Sequence, residues 1–185
     1  MKARALDPLH LDVAAFAEQA AQLQGCWPLR ELERLAASAH ADCPPGDTPV
    51  DWQARGEQRA VRGGAPQVWL HLQARTALQV VCQRCLGPLP VDVRAERSFL
   101  FVPGEDQAAE LDADCEDDVL ALTRSLDLKE LVEDELLLSL PLVPRHAACP
   151  LPAVAAEAEV LDERPNPFAA LAALKGRPPR PDGSA

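Results

Sequence analysis

The chain is poor in aromatic residues. Among its 185 residues there is no tyrosine, and aromatic side chains make up only 4%. Hydrophobic residues nevertheless reach 48%, and most of them are leucine, valine and alanine. This content is sufficient for a packed core, which we expect to be aliphatic.

Long apolar runs are also missing. No segment approaches the length that crosses a bilayer, and Met1 to Arg4 are not followed by the apolar stretch of a secretory leader. We therefore expect a cytoplasmic protein with reduced thiols. In such a chain, six cysteines favour metal binding or redox chemistry over structural disulfides.

Positive charge is scarce, because 18 lysines and arginines face 29 acidic residues and the net charge is -11. The overall field therefore does not attract nucleic acid, and a basic protein suits this charge better as a partner. RNA contact would need a local basic patch. The best candidates are seven arginines: Arg55, Arg59, Arg62, Arg75, Arg84, Arg94 and Arg97.

The strand pattern determines what this arginine set means. Arg55, Arg75 and Arg94 fall on the polar faces of predicted strands, so neighbouring strands would join them into one basic face. We expect Trp52 in the core and Trp69 exposed on the same face as Arg75. An ordinary solvated sheet face is the interpretation that we favour for this set.

Apolar and polar residues alternate over residues 50–59, 68–74 and 78–82, and again from 91 towards 101, which predicts an antiparallel meander. Helices are predicted over residues 14–23, 28–35 and 128–140. The last helix opens with a capping box at Asp127 and Glu130, and its acidic residues, including Glu133, are expected to be exposed.

The predicted fold class is α+β, with an antiparallel β-sheet or partly closed barrel, flanking helices and a flexible C-terminal tail. We expect residues 1–150 to form a single domain. Residues 103–118 hold eight acidic residues and no basic one, so an exposed or mobile loop is predicted there. Residues 151–185 are predicted to be a mostly flexible tail with a short helical motif at 166–175.

Two short clusters carry the chemistry that we consider first. Cys82 and Cys85 are separated by two residues, a spacing that lets a tight turn direct both sulfurs to one point. His146 and Cys149 form a second pair. Together these residues predict one structural zinc ion with the ligands Cys82, Cys85, His146 and Cys149, because four protein ligands close the site to substrate. Without zinc, the same residues are two reduced cysteines in a turn and a surface histidine.

Redox chemistry is the alternative for Cys82 and Cys85, since Arg84 between them would stabilise a thiolate. No thioredoxin-like βαβ pattern surrounds the pair, however. The sequence shows no phosphate-binding loop and no nucleophile elbow, and His10, His40 and His71 are isolated. Catalytic residues are therefore not predicted.

Several motifs resemble those of the YceD family, the large ribosomal RNA subunit accumulation proteins of bacteria and plastids. They are Cys-Gln-Arg-Cys-Leu-Gly-Pro-Leu at 82–89, the Leu-Asp-Leu-Lys-Glu-Leu run through Pro-Leu-Val-Pro at 126–144, His-Ala-Ala-Cys at 146–149, and Arg-Pro-Asn-Pro-Phe onwards at 164–175. Gly25 and the leucines at 29–35 are similar to the proteobacterial form.

This resemblance implies a non-enzymatic factor in the synthesis, processing or stability of 23S ribosomal RNA. It implies ribosomal RNA or a basic large-subunit ribosomal protein as the partner, with no membrane and no small-molecule substrate. The family repeats the pattern of Cys82, Cys85 and Cys149, which supports a structural cluster. Two other functions stay open: a thiol oxidoreductase using Cys82 and Cys85, and a zinc-binding interaction module without an RNA role.

Overall fold

The computed structural model describes residues 6–113 and 117–149. The α+β class is confirmed. Within these residues, four helices, one 3₁₀ turn and five strands follow in this order: α1 (Val13–Glu18), β1 (Gln22–Pro28), the 3₁₀ turn (Leu29–Glu31), α2 (Glu33–Ala37), β2 (Pro49–Arg59), β3 (Gln67–Val81), β4 (Pro88–Val102), α3 (Glu105–Asp112), β5 (Asp118–Ala121) and α4 (Leu128–Leu138).

The five strands form one sheet in the order β1-β2-β3-β4-β5. Strands β1 to β4 are antiparallel neighbours, whereas β5 pairs in parallel with β4. The alternating pattern predicts the antiparallel arrangement of β2, β3 and β4, but it does not predict β1. The alternating segments at 68–74 and 78–82 belong to one continuous strand, β3. The sheet is open and does not close partly into a barrel.

The inner face of the sheet carries the main core. Alternate side chains of the central strands, such as Leu70 and Leu72, pack against Phe16 of α1 and against Val132 and Leu136 of α4. All five are at most 1% exposed, and full burial of one such side chain contributes about 2 kcal/mol. This aliphatic packing fixes α4 across the sheet.

Helix α4 begins where the capping pattern predicts. The Asp127 side chain accepts hydrogen bonds from the backbone N–H groups of Lys129 and Glu130, at 2.9 and 3.1 Å. Glu133, expected to be exposed, is instead 8% exposed. Its carboxylate accepts hydrogen bonds from the backbone N–H groups of Arg34 and Leu35, at 2.7 and 3.0 Å, and so caps the start of α2.

Among the residues that the structure describes, the outer face is covered at one end only. There Trp69, Leu100 and Val119 pack with Ala108 of α3 in a second cluster. Residues 105–112 of the segment predicted as an exposed or mobile loop form α3, and most of its side chains are exposed as predicted, whereas Ala108 is buried. Acidic residues in the first turn suit a helix N-terminus, and Ala108 gives the helix an apolar contact with Trp69 and its neighbours. Trp69 lies on the face of Arg75 as predicted, but α3 buries it.

The N-terminal region differs most from the sequence-based expectation. The helix predicted at residues 14–23 ends at Glu18, because the chain turns at Ala20 with φ of 45° and enters β1. The helix predicted at 28–35 is divided into the 3₁₀ turn and α2, with non-helical Leu32 between them. Trp52 is in the core as predicted, stacked on Trp27 with ring centroids 4.5 Å apart.

None of the helices in the part of the chain that the structure describes is long and apolar enough to span a membrane. The predicted tail at 151–185, with its helical motif at 166–175, lies outside the described residues.

Candidate metal centre

The turn that joins β3 to β4 holds the first two cysteines. The hairpin register closes at the pair Val81 and Pro88, so Cys82 and Cys85 lie within the connecting loop. The Leu86 N–H donates to the Cys82 carbonyl at 2.9 Å, and the Cys82 N–H donates to the Gly87 carbonyl at 2.9 Å. The Leu86 backbone has a φ of 59°, a left-handed conformation that tightens the turn.

The segment after α4 brings the second pair to this turn. The Gln83 N–H donates to the Pro144 carbonyl at 2.8 Å, which fixes the segment beside the hairpin. His146 and Cys149 follow directly. The structure thus brings together all four residues that the sequence analysis selected as ligands.

The four donor atoms converge on one point. The Cys82 and Cys149 sulfurs are 3.6 Å apart, and the Cys85 sulfur is 3.4 Å from His146 Nδ1. All four donor atoms lie within 4.8 Å of one another. A tetrahedral zinc ion with Zn–S bonds of ~2.3 Å places its sulfurs ~3.8 Å apart, so the cluster has the dimensions of a metal site.

The orientation of His146 also suits a ligand. Its Nε2 lies 3.1 Å from the carbonyl oxygen of Pro88. When Nε2 carries the proton and donates to this carbonyl, Nδ1 has a free lone pair that faces the cysteine sulfurs. A backbone acceptor behind a ligating histidine is the usual means of fixing its ring and tautomer.

The Cys82 thiol is prepared for ionisation. Burial raises its pKa, but hydrogen bonds from the backbone N–H groups of Cys85, Arg84 and His146, together with one from the Cys85 side chain, lower the pKa to about 5. By contrast, burial and the neighbouring sulfurs of Cys82 and Cys85 raise the pKa of Cys149. A cation among these sulfurs would relieve that repulsion, because metal-bound thiolates are deprotonated.

The donor set indicates what kind of site this is. Three sulfurs and one imidazole nitrogen match the ligands that structural zinc takes, and four protein ligands leave no position for a substrate. The cluster joins the β3–β4 hairpin to the segment after α4. Its chemical capacity is therefore to hold two parts of the fold together.

The three histidines that are isolated in the sequence all have polar partners in the fold. His10 Nδ1 lies 3.1 Å from the Ser125 hydroxyl oxygen. His40 Nε2 lies 3.0 Å from the carbonyl oxygen of Leu86, so this residue supports the cysteine turn from the side of α2. His71 lies between Ser98 and Glu57 on three neighbouring strands, at 2.8 Å from each. Only the tertiary fold reveals these contacts, because the partners are distant in sequence.

The remaining cysteines stand apart from the cluster. Cys26 is exposed on β1 and Cys43 is half-buried, and neither belongs to the group of converging donor atoms. Cys115 lies outside the described residues. For Cys26 and Cys43 this agrees with the absence of a partner at ligand spacing in the sequence.

The arginine set does not form a basic face. The register does place Arg55, Arg75 and Arg94 on the outer face, with Arg75 directly opposite Arg94. Arg97, however, points to the inner face and pairs with Glu135 of α4 at 3.2 Å. Arg62 and Arg84 lie outside the strands.

Carboxylates offset the arginines that remain on the outer face. Arg75 pairs with Asp51 at 3.1 Å, and Glu57 pairs with Arg55 and with Arg59 at 3.4 and 2.7 Å. At the β1 end the face forms an open groove of about 730 Å³, whose charged lining residues are Asp51, Arg75, Arg94 and Glu96. Two positive and two negative groups cancel, so the groove has no net charge to attract phosphate.

Comparison with known proteins adds an independent line of evidence. Residues 70–175 match the family model described as large ribosomal RNA subunit accumulation protein YceD. A protein from Haemophilus influenzae with that same description is 32% identical over 174 residues, which covers 91% of this chain and 95% of that protein. No solved structure matches the chain. The matched residues include the complete Cys/His cluster.

Proposed function

Because this chain belongs to the YceD family, we propose that it is a non-enzymatic factor that supports the accumulation of 23S ribosomal RNA in large-subunit biogenesis. The family match over residues 70–175 is the observation that carries this proposal. The proposed role covers synthesis, processing or stability of the RNA, in the cytoplasm where ribosomes are assembled.

A structural metal is the second part of the proposal: Cys82, Cys85, His146 and Cys149 bind one zinc ion. The convergence of four donor atoms within 4.8 Å supports it, as does the contact between His146 and the Pro88 carbonyl. With its coordination shell filled by protein, the ion stabilises the fold and leaves no room for catalysis. This supports the non-enzymatic assignment.

The partner that we propose is a basic large-subunit ribosomal protein. The net charge of -11 attracts such a protein and repels RNA. The outer arginines, paired with Asp51 and Glu57, do not reverse that preference. Ribosomal RNA, bound directly, is the alternative partner.

The functional test is a strain that lacks the gene. We expect less 23S RNA and fewer large subunits in sucrose-gradient profiles, restored by the wild-type gene and by a Cys26→Ser variant. Unchanged subunit profiles would contradict the proposal. Pull-down with and without ribonuclease separates the two partners, since a protein contact survives digestion and an RNA contact does not.

The metal test is elemental mass spectrometry on protein purified without a histidine tag. One zinc ion per wild-type chain and none in Cys82→Ser is the expected result, with Cys26→Ser as the matched control. Metal-free wild-type protein that turns over a disulfide substrate, with the activity lost in Cys85→Ser, would support the thiol oxidoreductase instead. A zinc-bound protein with no effect on 23S RNA would be the interaction module without an RNA role.

A further inference from the structure

The two edges of the sheet are built differently. At one edge, β5 has four residues, and acidic Asp117 and Asp118 mark its start. The Asp112 side chain of α3 accepts the Val119 N–H at 3.1 Å, so part of this edge is already hydrogen-bonded. A short, charged and capped edge strand resists pairing with another chain.

In residues 6–113 and 117–149, the opposite edge of the sheet has none of these protections. Strand β1 runs from Gln22 to Pro28, and no charged residue occurs from Gln19 to Leu29 in a chain with 25% charged residues. Its pairing with β2 is continuous over seven residue pairs, without a bulge. An uncharged, regular edge strand presents a free row of backbone donors and acceptors.

Side chains of β1 also leave apolar surface at this edge. Leu23 and Trp27 face the core side but are only partly buried. Gln24 and Cys26 point to the outer face and are exposed. The edge therefore has an apolar side and a polar side, both open to a further strand.

We propose that β1 pairs in antiparallel orientation with β1 of a second copy of this chain, joining two five-stranded sheets into one. A two-fold axis at Gly25 places Leu23 opposite Trp27 of the partner subunit and Gln24 opposite Cys26 of the partner subunit. Each apolar side chain then lies opposite an apolar side chain of the other copy, and each polar side chain lies opposite a polar one. The strand is thus complementary to itself.

The charges favour a second copy at this edge in particular. Two chains of net charge -11 repel each other, so they meet only where acidic groups are absent. Pairing through β5 would bring Asp117 and Asp118 of both copies together. Pairing through β1 brings no like charges together. A ribbon of seven residues is a small interface, so a dissociation constant on the order of micromolar is expected.

Gly25 itself is unsuitable for testing this arrangement. A Cβ at this position would lie 2.7 Å from Trp52 Cζ2, so any substitution would disturb the core. Gln24 and Cys26 are exposed and tolerate replacement. In the proposed register each faces the other across the axis, which permits a charge-swap design.

The experiment compares two double variants by sedimentation velocity over a range of protein concentrations. Gln24→Lys with Cys26→Lys places lysine opposite lysine twice, and we expect at least ~10-fold weaker dimerisation than in wild type. Gln24→Glu with Cys26→Lys places opposite charges together and should retain the dimer. The first variant has less negative net charge, so a bulk charge effect would act in the opposite direction.

Circular dichroism melting checks that both variants fold. A wild-type protein that stays monomeric, or a lysine–lysine variant that dimerises like wild type, overturns the proposal. If the lysine–lysine variant does not fold, mild oxidation of Gln24→Cys decides: a covalent dimer through Cys26 is expected, because directly opposed strand positions suit a disulfide. Gln22→Cys, opposite Pro28, should give none. The absence of a crosslink in Gln24→Cys would also overturn the proposal.

Discussion

The sequence predicts two candidate functional regions, the Cys/His cluster and the outer arginine face. In the fold, the side chains of these two regions are arranged very differently. At the cluster, four side chains from two distant segments turn towards one point, with backbone groups holding each half in place. On the outer face, Arg55, Arg59 and Arg75 pair with carboxylates on the same or neighbouring strands. Donor atoms that converge on one point form a site for a metal ion. Charges that are paired with each other offer no such site to a ligand.

The largest effect is expected from breaking the cluster. Cys82→Ser removes a sulfur that is 0% exposed and should release the metal, because the remaining three ligands no longer close the site. We expect a fall in melting temperature of at least ~10 °C by calorimetry, since metal binding free energy adds to folding free energy. A zinc chelator should act similarly on wild type. Cys26→Ser, also a lost thiol, should melt like wild type, and an unchanged melting temperature in Cys82→Ser would contradict a metal-supported fold.

A smaller loss should follow from Glu133→Ala. Removing the carboxylate leaves two backbone N–H groups at the start of α2 without their acceptor, which costs about 2 kcal/mol of unfolding free energy. Its ion pair with half-exposed Arg34 adds little. The metal content should stay at the wild-type value, which separates the anchoring of α4 from the cluster that follows it. Asp134→Ala, which removes only an exposed partner of Arg34, is the control in denaturant titrations.

Substitution of arginines on the inner and on the outer face allows the two faces of the sheet to be compared. Arg97→Gln leaves Glu135, which is 6% exposed, without its guanidinium, so about 1 kcal/mol of unfolding free energy should be lost. The double variant Arg75→Gln, Arg94→Gln on the outer face should change stability by less than ~0.5 kcal/mol per residue. It should also support normal 23S RNA levels in the deletion strain. A stable double variant that fails to restore 23S RNA would make the outer face an RNA-binding surface after all.

The smallest effect concerns the pH dependence of the outer face. Hydrogen bonds from Arg59 and then His71 lower the pKa of Glu57 from 4.5 to about 2. The ionised Glu57 carboxylate therefore stabilises the fold fully when the pH is above its pKa in the unfolded chain. This stabilisation is lost as the pH falls through its pKa in the folded protein. The melting-temperature difference between wild type and Glu57→Gln should shrink between about pH 4.5 and pH 2. A constant difference over this range would show that the carboxylate is not held by these partners.

The sequence predicted most successfully the regions where local pattern and tertiary environment agree. Strands β2, β3 and β4 alternate clearly because one face of each is buried against α1 and α4. The two ligand pairs were recognisable because each is compact in sequence. Helix α4 began at Asp127 as predicted, since its cap uses backbone groups only two and three residues away.

Other features depend on partners far along the chain and could not be predicted from local pattern. In the sequence, Glu133 resembles any exposed acidic residue of a helix. Its carboxylate accepts the N–H group of Arg34, which is 99 residues earlier in the chain, so local pattern could not reveal its burial. Strand β1 was missed because the turn at Ala20 carries no glycine to signal it. Helix α3 was missed because its apolar contact is with Trp69, which lies on β3 and is distant from α3 in the sequence.

The position of the cysteine turn has a consequence for the order in which the chain matures. Cys82 and Cys85 lie in the β3–β4 connection, so a local hairpin assembles half of the site early. His146 is 61 positions beyond Cys85, and it reaches the turn only after β4, α3, β5 and α4 have been synthesised and packed. A zinc ion at this site would therefore be taken up last, and its binding would mark a chain that has finished folding as ready for its partners.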